Sequence, residues 1–322
     1  MTFGALFTQV LGFFDKRFQV TYFLPSLLFW GLLVVLWFAG QGNVAAAAEL
    51  WKDGLGVGSI VRLIGFFAWL ALFANFLASQ SMGLLRLYEG YWEFRGTGPL
   101  RKLGEDWHRH RLQELGALVE KDPRKYTKEY QQIYFGYPMP GDANQVMATK
   151  LGNILKNAEL YPYTRYEIDA VVVWPRLYNL ISPTVAGPMV ELRSGLDFML
   201  VISSLSLSFA LISGVYLIVV GASPLLFLLC FVGGVVIAWI AYRGAISNAV
   251  LYAEQIKVAF DLYRNDLLKQ MRVSPPKSPE DEMKTWKALR QFLYHGDPSG
   301  VIYSSDGSAP EAKPPNPAFS PN

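Results

Sequence analysis

Four long apolar stretches constrain this chain more than any other feature of its sequence. A helix needs roughly 20 mainly apolar residues to cross the hydrocarbon core of a bilayer. Four stretches are long enough, and they predict transmembrane helices, here called spans one to four, over residues 20–39, 63–85, 198–221 and 224–242. Only Ala222 and Ser223 separate the last two spans, so these should form a tight hairpin, with Pro224 in the first turn of span four.

The charges around the spans predict that both termini face the cytoplasm. Lys16 and Arg17 precede span one, and Arg86 follows span two. If both termini are inside, every basic residue except Lys52 and Arg62 lies in a cytoplasmic segment. Cytoplasmic loops of membrane proteins carry the excess of Lys and Arg, so the sequence favours this orientation in a plasma membrane.

Composition excludes several classes of protein. Charged residues make up 17% of the chain, against about 25% in soluble domains. The net charge of +3 is too small for a nucleic-acid-binding field, so no nucleic-acid partner is expected. A single cysteine, Cys230, excludes an intramolecular disulfide and a cysteine-based zinc cluster.

The segments outside the spans also have helical patterns, so the predicted fold class is an all-α membrane protein with a helical cytoplasmic domain. We expect an interfacial amphipathic helix over 1–18, transmembrane helices one and two within 19–85, a cytoplasmic insert over 86–196, the hairpin of spans three and four over 197–243, cytoplasmic helices over 244–295 and a disordered tail over 296–322. Within the insert, helices are expected over 105–120, 124–135, 143–159 and 166–181, with Asp142 as the cap of the third.

An apolar seam follows span four. Ile256, Phe260, Tyr263 and Leu267 recur at alternating three- and four-residue spacing, which is typical of a packed or coiled helix. The seam is short, so packing against the insert is favoured over a free coiled coil, although contact between copies of the chain is the alternative. Ser278, followed by acidic residues, predicts the start of one more helix near residue 279.

No cluster of residues points to catalysis, a metal or a cofactor, so no enzyme activity is expected. His108 and His110 are two residues apart and point in different directions on a helix, so we expect solvated surface histidines. Arg165, Glu167 and Asp169 are expected to form a buried structural ion pair, with a lipid-headgroup or ligand site as the alternative.

Polar residues inside the spans are the candidate functional residues. Such side chains normally face another helix or a water-filled path. The candidates for lining a pore are Asn75, Ser79 and Gln80 in span two, and Ser203, Ser206 and Ser213 in span three. Close helix packing is the alternative for the serines, whose hydroxyl groups can bond backbone carbonyls.

Three segments, LLRLYEGYW (84–92), 151–177 and AFDLYRNDLLKQMR (259–272), resemble a group of uncharacterised bacterial integral membrane proteins with four helices. This resemblance implies a bacterial inner membrane and no particular chemistry. The layout is also similar to bestrophin-type channels, by architecture only.

Two functions follow as hypotheses. The first is a homo-oligomeric channel or pore with a cytoplasmic gating or sensing body, because four helices without inverted repeats or intramembrane charges are too few for a self-contained transporter. The alternative is a membrane-anchored structural or adaptor protein that recruits a cytoplasmic protein partner. In both, the partners are the lipid bilayer and, for the channel, other copies of the chain.

The predicted orientation can be tested by cysteine labelling of intact cells in a Cys230→Ser background. Cysteines at Gly54 and Ser223 should react with an impermeant thiol reagent, because both positions lie outside the cytoplasm. Cysteines at Thr127 and Ser299 should be protected. Labelling at Thr127 without labelling at Gly54 would reverse the orientation.

Overall fold

The computed structural model describes residues 15–40, 57–139 and 144–304, and in these ranges the chain is helical without a strand. The predicted all-α class is confirmed for this part of the chain. The elements in order are α1 Lys16–Phe18, a π-helical segment Gln19–Phe23, α2 Leu24–Gly40, α3 Val57–Ser79, α4 Ser81–Glu89, α5 Gly98–Lys121, α6 Thr127–Gly136, α7 Lys150–Tyr166, α8 Ala170–Tyr178, α9 Pro183–Val219, α10 Pro224–Gln270 and α11 Pro279–His295.

Within the described ranges, four helical stretches are long and apolar enough to cross a membrane: Lys16–Ala39, Val61–Ser79, and helices α9 and α10. Each overlaps one predicted span, but Val61–Ser79 ends six residues before the predicted end of span two, and α9 ends two residues before that of span three. Helices α9 and α10 have 37 and 47 residues, so at about 1.5 Å per residue both exceed a hydrocarbon core of about 30 Å. Only the apolar part of each can therefore lie within a bilayer. Most of the predicted interfacial helix over 1–18 lies outside the described residues.

The chain divides into two compact units. Unit 1 comprises Met1–Leu85 and Ser194–Ser247, and unit 2 comprises Arg86–Arg193 and Asn248–Asn322. Unit 1 therefore contains the spans, and unit 2 contains most of the predicted insert together with the segments after span four. Helices α9 and α10 each contribute residues to both units.

Aromatic and aliphatic side chains hold the first three spans of unit 1 together. The Phe29 ring of span one stacks on Phe73 of span two, with centroids 6.1 Å apart, and it also packs against Val201 and Leu205 of span three. Span three is the most enclosed, with 39% of its apolar stretch buried, against 11% for span two. Span two therefore leaves most of its surface open.

Spans three and four form the expected hairpin. Gly221 lies in the turn after α9 and has φ +64°, in the left-handed region that favours glycine. At the start of α10, the Ser223 hydroxyl accepts a hydrogen bond from the backbone N–H of Leu226. Gly234 of span four faces Ala210, where an added Cβ would lie 2.9 Å from the alanine methyl. The absence of a side chain at Gly234 thus lets the two helices approach closely.

Unit 2 has its own apolar core, built where α8, the second half of α10, and α11 meet. The predicted seam lies in it: Phe260 and Leu267 are buried, and Ile256 and Tyr263 pack against it. The other buried members come from the insert and the C-terminal segments: Ile168, Ala170, Val173, Leu177, Leu268, Val273, Trp286 and Leu289. Helix α11 begins as predicted, with the Ser278 hydroxyl accepting from the N–H of Asp281.

Several boundaries differ from expectation: α5 begins at Gly98 rather than at 105, and α7 ends at Tyr166 rather than at 159. The helix expected from residue 143 begins only at Lys150, because the Asn153 side chain bonds the N–H and the carbonyl of Met147 and holds the preceding segment as a loop. Asp142, its expected cap, lies outside the described residues, and Thr149 caps α7 instead. Part of the tail expected to be disordered is ordered instead. Residues 302–304 pair with the segment after α10: the backbone N–H of Ser274 donates to Ile302 O, and that of Ser304 donates to Arg272 O.

Substitution of Phe260 tests whether the seam stabilises unit 2. Phe260→Ala should lower the free energy of unfolding by about 3–5 kcal/mol, because it removes a fully buried ring and leaves a cavity. The matched control is Leu262→Ala on the same helix, where the leucine is 62% exposed and the expected loss is within about 0.5 kcal/mol. Denaturant unfolding of the detergent-purified protein compares the two. Equal losses would contradict a structural role for the seam.

Candidate functional site

Asn75 lies near the middle of the predicted span two, one turn before α3 ends at Ser79, and its side chain is exposed. The amide nitrogen donates to the backbone oxygen of Ala71, one turn earlier, at 2.8 Å. Ser79, also exposed, donates to Phe76 O at 2.7 Å, and Gln80 is exposed just beyond the end of α3. The three pore-lining candidates of span two therefore lie on open surface of unit 1.

Asn75 belongs to a continuous exposed row on α3. The row consists of positions spaced alternately three and four residues apart, which we call the α3 stripe: Gly65, Ala68, Leu72, Asn75 and Ser79. Such spacing places all five on one face of a helix. Four of the five side chains are small or polar, and nothing lies within 4 Å of a Cβ added at Gly65. Small residues let a second helix approach closely in a membrane, and polar ones bond across the contact.

The serines of span three have a different environment. Ser203 is buried and donates to Ala238 O of span four at 3.0 Å, and Ser213 is buried and donates to Ala210 O of its own helix at 3.0 Å. Ser206 is half-buried, with its backbone oxygen close to Gly234. This geometry matches the close-packing alternative, and a pore-lining role for these serines stays a prediction.

A row of charged side chains runs along the second half of α10, away from the apolar seam. Glu254, Lys257, Asp261 and Arg264 are spaced three, four and three residues apart, and thus share one face. Each contacts a charged or aromatic partner within unit 2. The sequence pattern contains this row, but our sequence reasoning followed only the apolar positions and missed it.

Lys257 is the most buried charge of this row, with 3% of its surface exposed. Its ammonium group contacts the Glu254 carboxylate at 2.7 Å and lies 4.7 Å from the centre of the Tyr134 ring and 5.6 Å from that of Tyr161. Burial lowers the pKa of Lys257, and the Glu254 carboxylate opposes that shift. The lysine thus joins α10 to α6 and α7 through the rings of Tyr134 and Tyr161, while its ion pair with Glu254 lies within α10.

Asp261 and Arg264 extend the same network. The Asp261 carboxylate accepts from the hydroxyls of Tyr161 at 2.9 Å and Tyr166 at 2.8 Å, while Arg264 contacts Glu282 at 2.8 Å. Burial, reinforced by the bond to Asp261, raises the pKa of both tyrosines, so they remain protonated donors. The arrangement fixes helices to one another and presents no nucleophile beside a general base.

Two expectations for ionisable residues were wrong: the solvent exposure of His108, and the ion pair among Arg165, Glu167 and Asp169. His108 is buried rather than solvated, its Nδ1 lies 3.0 Å from the Tyr137 hydroxyl, and burial lowers its pKa to about 4. His110 is exposed, as expected. The buried ion pair expected among Arg165, Glu167 and Asp169 does not form: each residue has a different partner.

The partners of these three residues come from other parts of unit 2 and their own helices. Exposed Arg165 lies over the Tyr161 ring. Glu167 contacts Arg290 at 3.4 Å. Asp169 caps α8 and accepts from the Tyr294 hydroxyl. The lipid-headgroup or ligand alternative for this segment has no further support from the geometry.

Glu89, at the end of α4, is a carboxylate whose acidity is strongly changed by its surroundings. Burial raises its pKa from 4.5 to about 7, against the lowering effects of Arg193, Arg86 and Lys156, while Glu159 adds a smaller increase. Glu89 is therefore partly protonated near neutral pH. Sequence reasoning did not single it out, because its burial comes from helices that are distant along the chain.

Among the described residues, no group of three or more His, Cys, Asp or Glu side chains is placed to hold a metal ion. In comparisons with known proteins, no protein-family model, curated protein or solved structure matches the chain significantly.

Glu89 gives a pH dependence of stability with a definite sign. A carboxyl group with a raised pKa in the folded state stabilises folding below about pH 4.5, and this contribution is lost as the pH rises toward 7. Glu89→Gln mimics the protonated acid at every pH. The difference in free energy of unfolding between this variant and the native chain should therefore grow in favour of the variant by about 1–3 kcal/mol as the pH rises from 4.5 to 8. Denaturant unfolding across this range measures the difference. Exposed Glu93 provides the control, Glu93→Gln, which should show no such gain; a flat Glu89→Gln difference would contradict the burial argument.

Proposed function

We propose that the chain forms a homo-oligomeric channel or pore in a bacterial inner membrane. The α3 stripe forms the contact between copies, and Asn75 borders the path between them. Unit 2 then lies in the cytoplasm as a gating or sensing body. The observation that carries the proposal is the exposure of Asn75 within an apolar span.

An exposed amide inside an apolar span is costly if lipid surrounds it. Transfer of an amide from water into an apolar medium without a compensating hydrogen bond costs roughly 2–7 kcal/mol. The bond to Ala71 uses one of the two N–H groups of the Asn75 side chain. A second copy of the chain, or water held between copies, supplies partners for the remaining groups, and lipid cannot.

The rest of unit 1 fits assembly from several copies. No Asp, Glu, Lys or Arg lies within the four predicted spans, which disfavours a proton-coupled pump or a voltage sensor within one chain. Ser203 and Ser213 of span three bond within the α9–α10 hairpin, whereas Asn75, Ser79 and Gln80 of span two lie on open surface. Several copies with this surface turned inward would enclose a path that one chain does not provide.

The adaptor is the second candidate, and the size of unit 2 favours it. Unit 2 has an apolar core of its own and the ion-pair and aromatic network along α10. A folded body of this kind suits a protein that holds a cytoplasmic partner at the membrane. Absence of current from the assembled protein would favour this function over the channel.

Planar-bilayer recording of Asn75 variants tests the channel. If Asn75 borders a water-filled constriction, Asn75→Leu should suppress the current, because an apolar ring favours dewetting. Asn75→Asp should raise the preference for cations, since each subunit adds a negative charge to a ring. The control is Ser203→Ala, which removes a buried bond to Ala238 worth about 0.6 kcal/mol and should leave the current unchanged.

The recordings require variants that assemble to the same extent as the native chain. A current that is insensitive to both Asn75 substitutions would move the path away from span two. No current from the native chain under varied voltage, pH and calcium would contradict the channel.

A further inference from the structure

The first helix of unit 2 exposes an apolar face. Leu100, Leu103 and Trp107 of α5 are 60%, 70% and 61% exposed, and their spacing of three and four residues places them on one side of the helix. Phe94, just before the helix, is 68% exposed. With Trp92 and Gly104, the three α5 side chains line a shallow depression of about 320 Å³. We call Phe94, Leu100, Leu103 and Trp107 the α5 apolar face.

This face is not the one by which α5 packs into unit 2. The packing side carries His108 and Leu115, which are buried. Arg101 contacts Glu105 at 3.1 Å, and Arg109 contacts Glu105 at 3.5 Å, so ion pairs occupy a further side of the helix. The α5 apolar face therefore remains open after the unit has folded, and contiguous exposed apolar surface of this kind marks a contact with another molecule or a membrane.

The composition of the segment identifies a bilayer as the occupant. Trp and Phe are the side chains enriched where a protein meets the headgroup region, and leucines supply the buried surface of interfacial helices. Over the range of this face, 94–107, the basic residues Arg95, Arg101 and Lys102 outnumber Glu105 and Asp106. Arg101 contacts Glu105 and Arg109 contacts Asp106, so Arg95 and Lys102 are the cations that can face anionic lipid headgroups. The segment also follows α3 and α4 directly along the chain, so a membrane span tethers it.

We infer that the α5 apolar face inserts into the headgroup region of the bilayer and holds the start of unit 2 on the membrane surface. Interfacial helices bury their apolar side about 5–10 Å into the boundary between headgroups and acyl chains. The contact is separate from the four spans, and it does not depend on whether the protein conducts ions.

Spin labels on α5 test this inference with the full-length chain. The protein, in a Cys230→Ser background, is reconstituted into vesicles of phosphatidylcholine and phosphatidylglycerol at a 3:1 ratio, with one label at Leu103→Cys or Leu100→Cys. Collisions with oxygen, which concentrates in lipid, are compared with collisions with a water-soluble nickel chelate. The matched control is Gln113→Cys, an exposed polar position on another side of the same helix.

The expected result is high oxygen and low nickel accessibility at Leu103 and Leu100, at a depth of about 5–10 Å, with high nickel accessibility at Gln113. Nickel accessibility at Leu103 and Leu100 equal to that at Gln113 would overturn the inference, because the face would then lie in water. Protection of both labels from both reagents would also overturn it, since a protein surface would then cover the face.

Discussion

Hydrocarbon offers no water to satisfy a polar group, and this constraint governs the structure of unit 1. Ser203 meets it by bonding Ala238 across the hairpin, and Ser213 meets it on its own helix. Asn75 meets it only in part, through Ala71, and stays exposed. Ser203 and Ser213 are satisfied within the hairpin of spans three and four, whereas Asn75 of span two is satisfied only in part. This difference is the physical reason for which we propose assembly from several copies.

A different constraint governs unit 2, where charged side chains are taken out of water. Lys257 is tolerated at 3% exposure because Glu254 and two tyrosine rings replace its hydration. The same helix presents its apolar seam to α8 and α11, so α10 is packed on two sides by different chemistry. A folded body held in this way has the defined surface that either proposed function, gating in a channel or recruitment in an adaptor, would require.

The parts that sequence reasoning predicted are those set by local pattern. Long apolar stretches predicted the spans, and Ser278 predicted the start of α11, because each signal lies within a few residues of its effect. The environment of His108 escaped prediction because Tyr137, 29 residues away, helps to enclose it. The start of α7 was missed because an Asn153 side chain, not a helix breaker, holds the preceding loop. For the candidate site, sequence identified Asn75, but only the structure distinguished its exposure from the burial of Ser203 and Ser213.

Oxidative cysteine cross-linking in native membranes tests most directly whether copies of the chain meet along the α3 stripe. Leu72→Cys, in a Cys230→Ser background, places a thiol on the stripe at a position where leucine is 68% exposed. The matched control is Leu229→Cys on span four, where leucine is 67% exposed. Efficient formation of covalent dimers by Leu72→Cys, with much less by Leu229→Cys, is the predicted result. Leu72→Cys that stays monomeric, or that cross-links no better than the control, would contradict contact along the stripe.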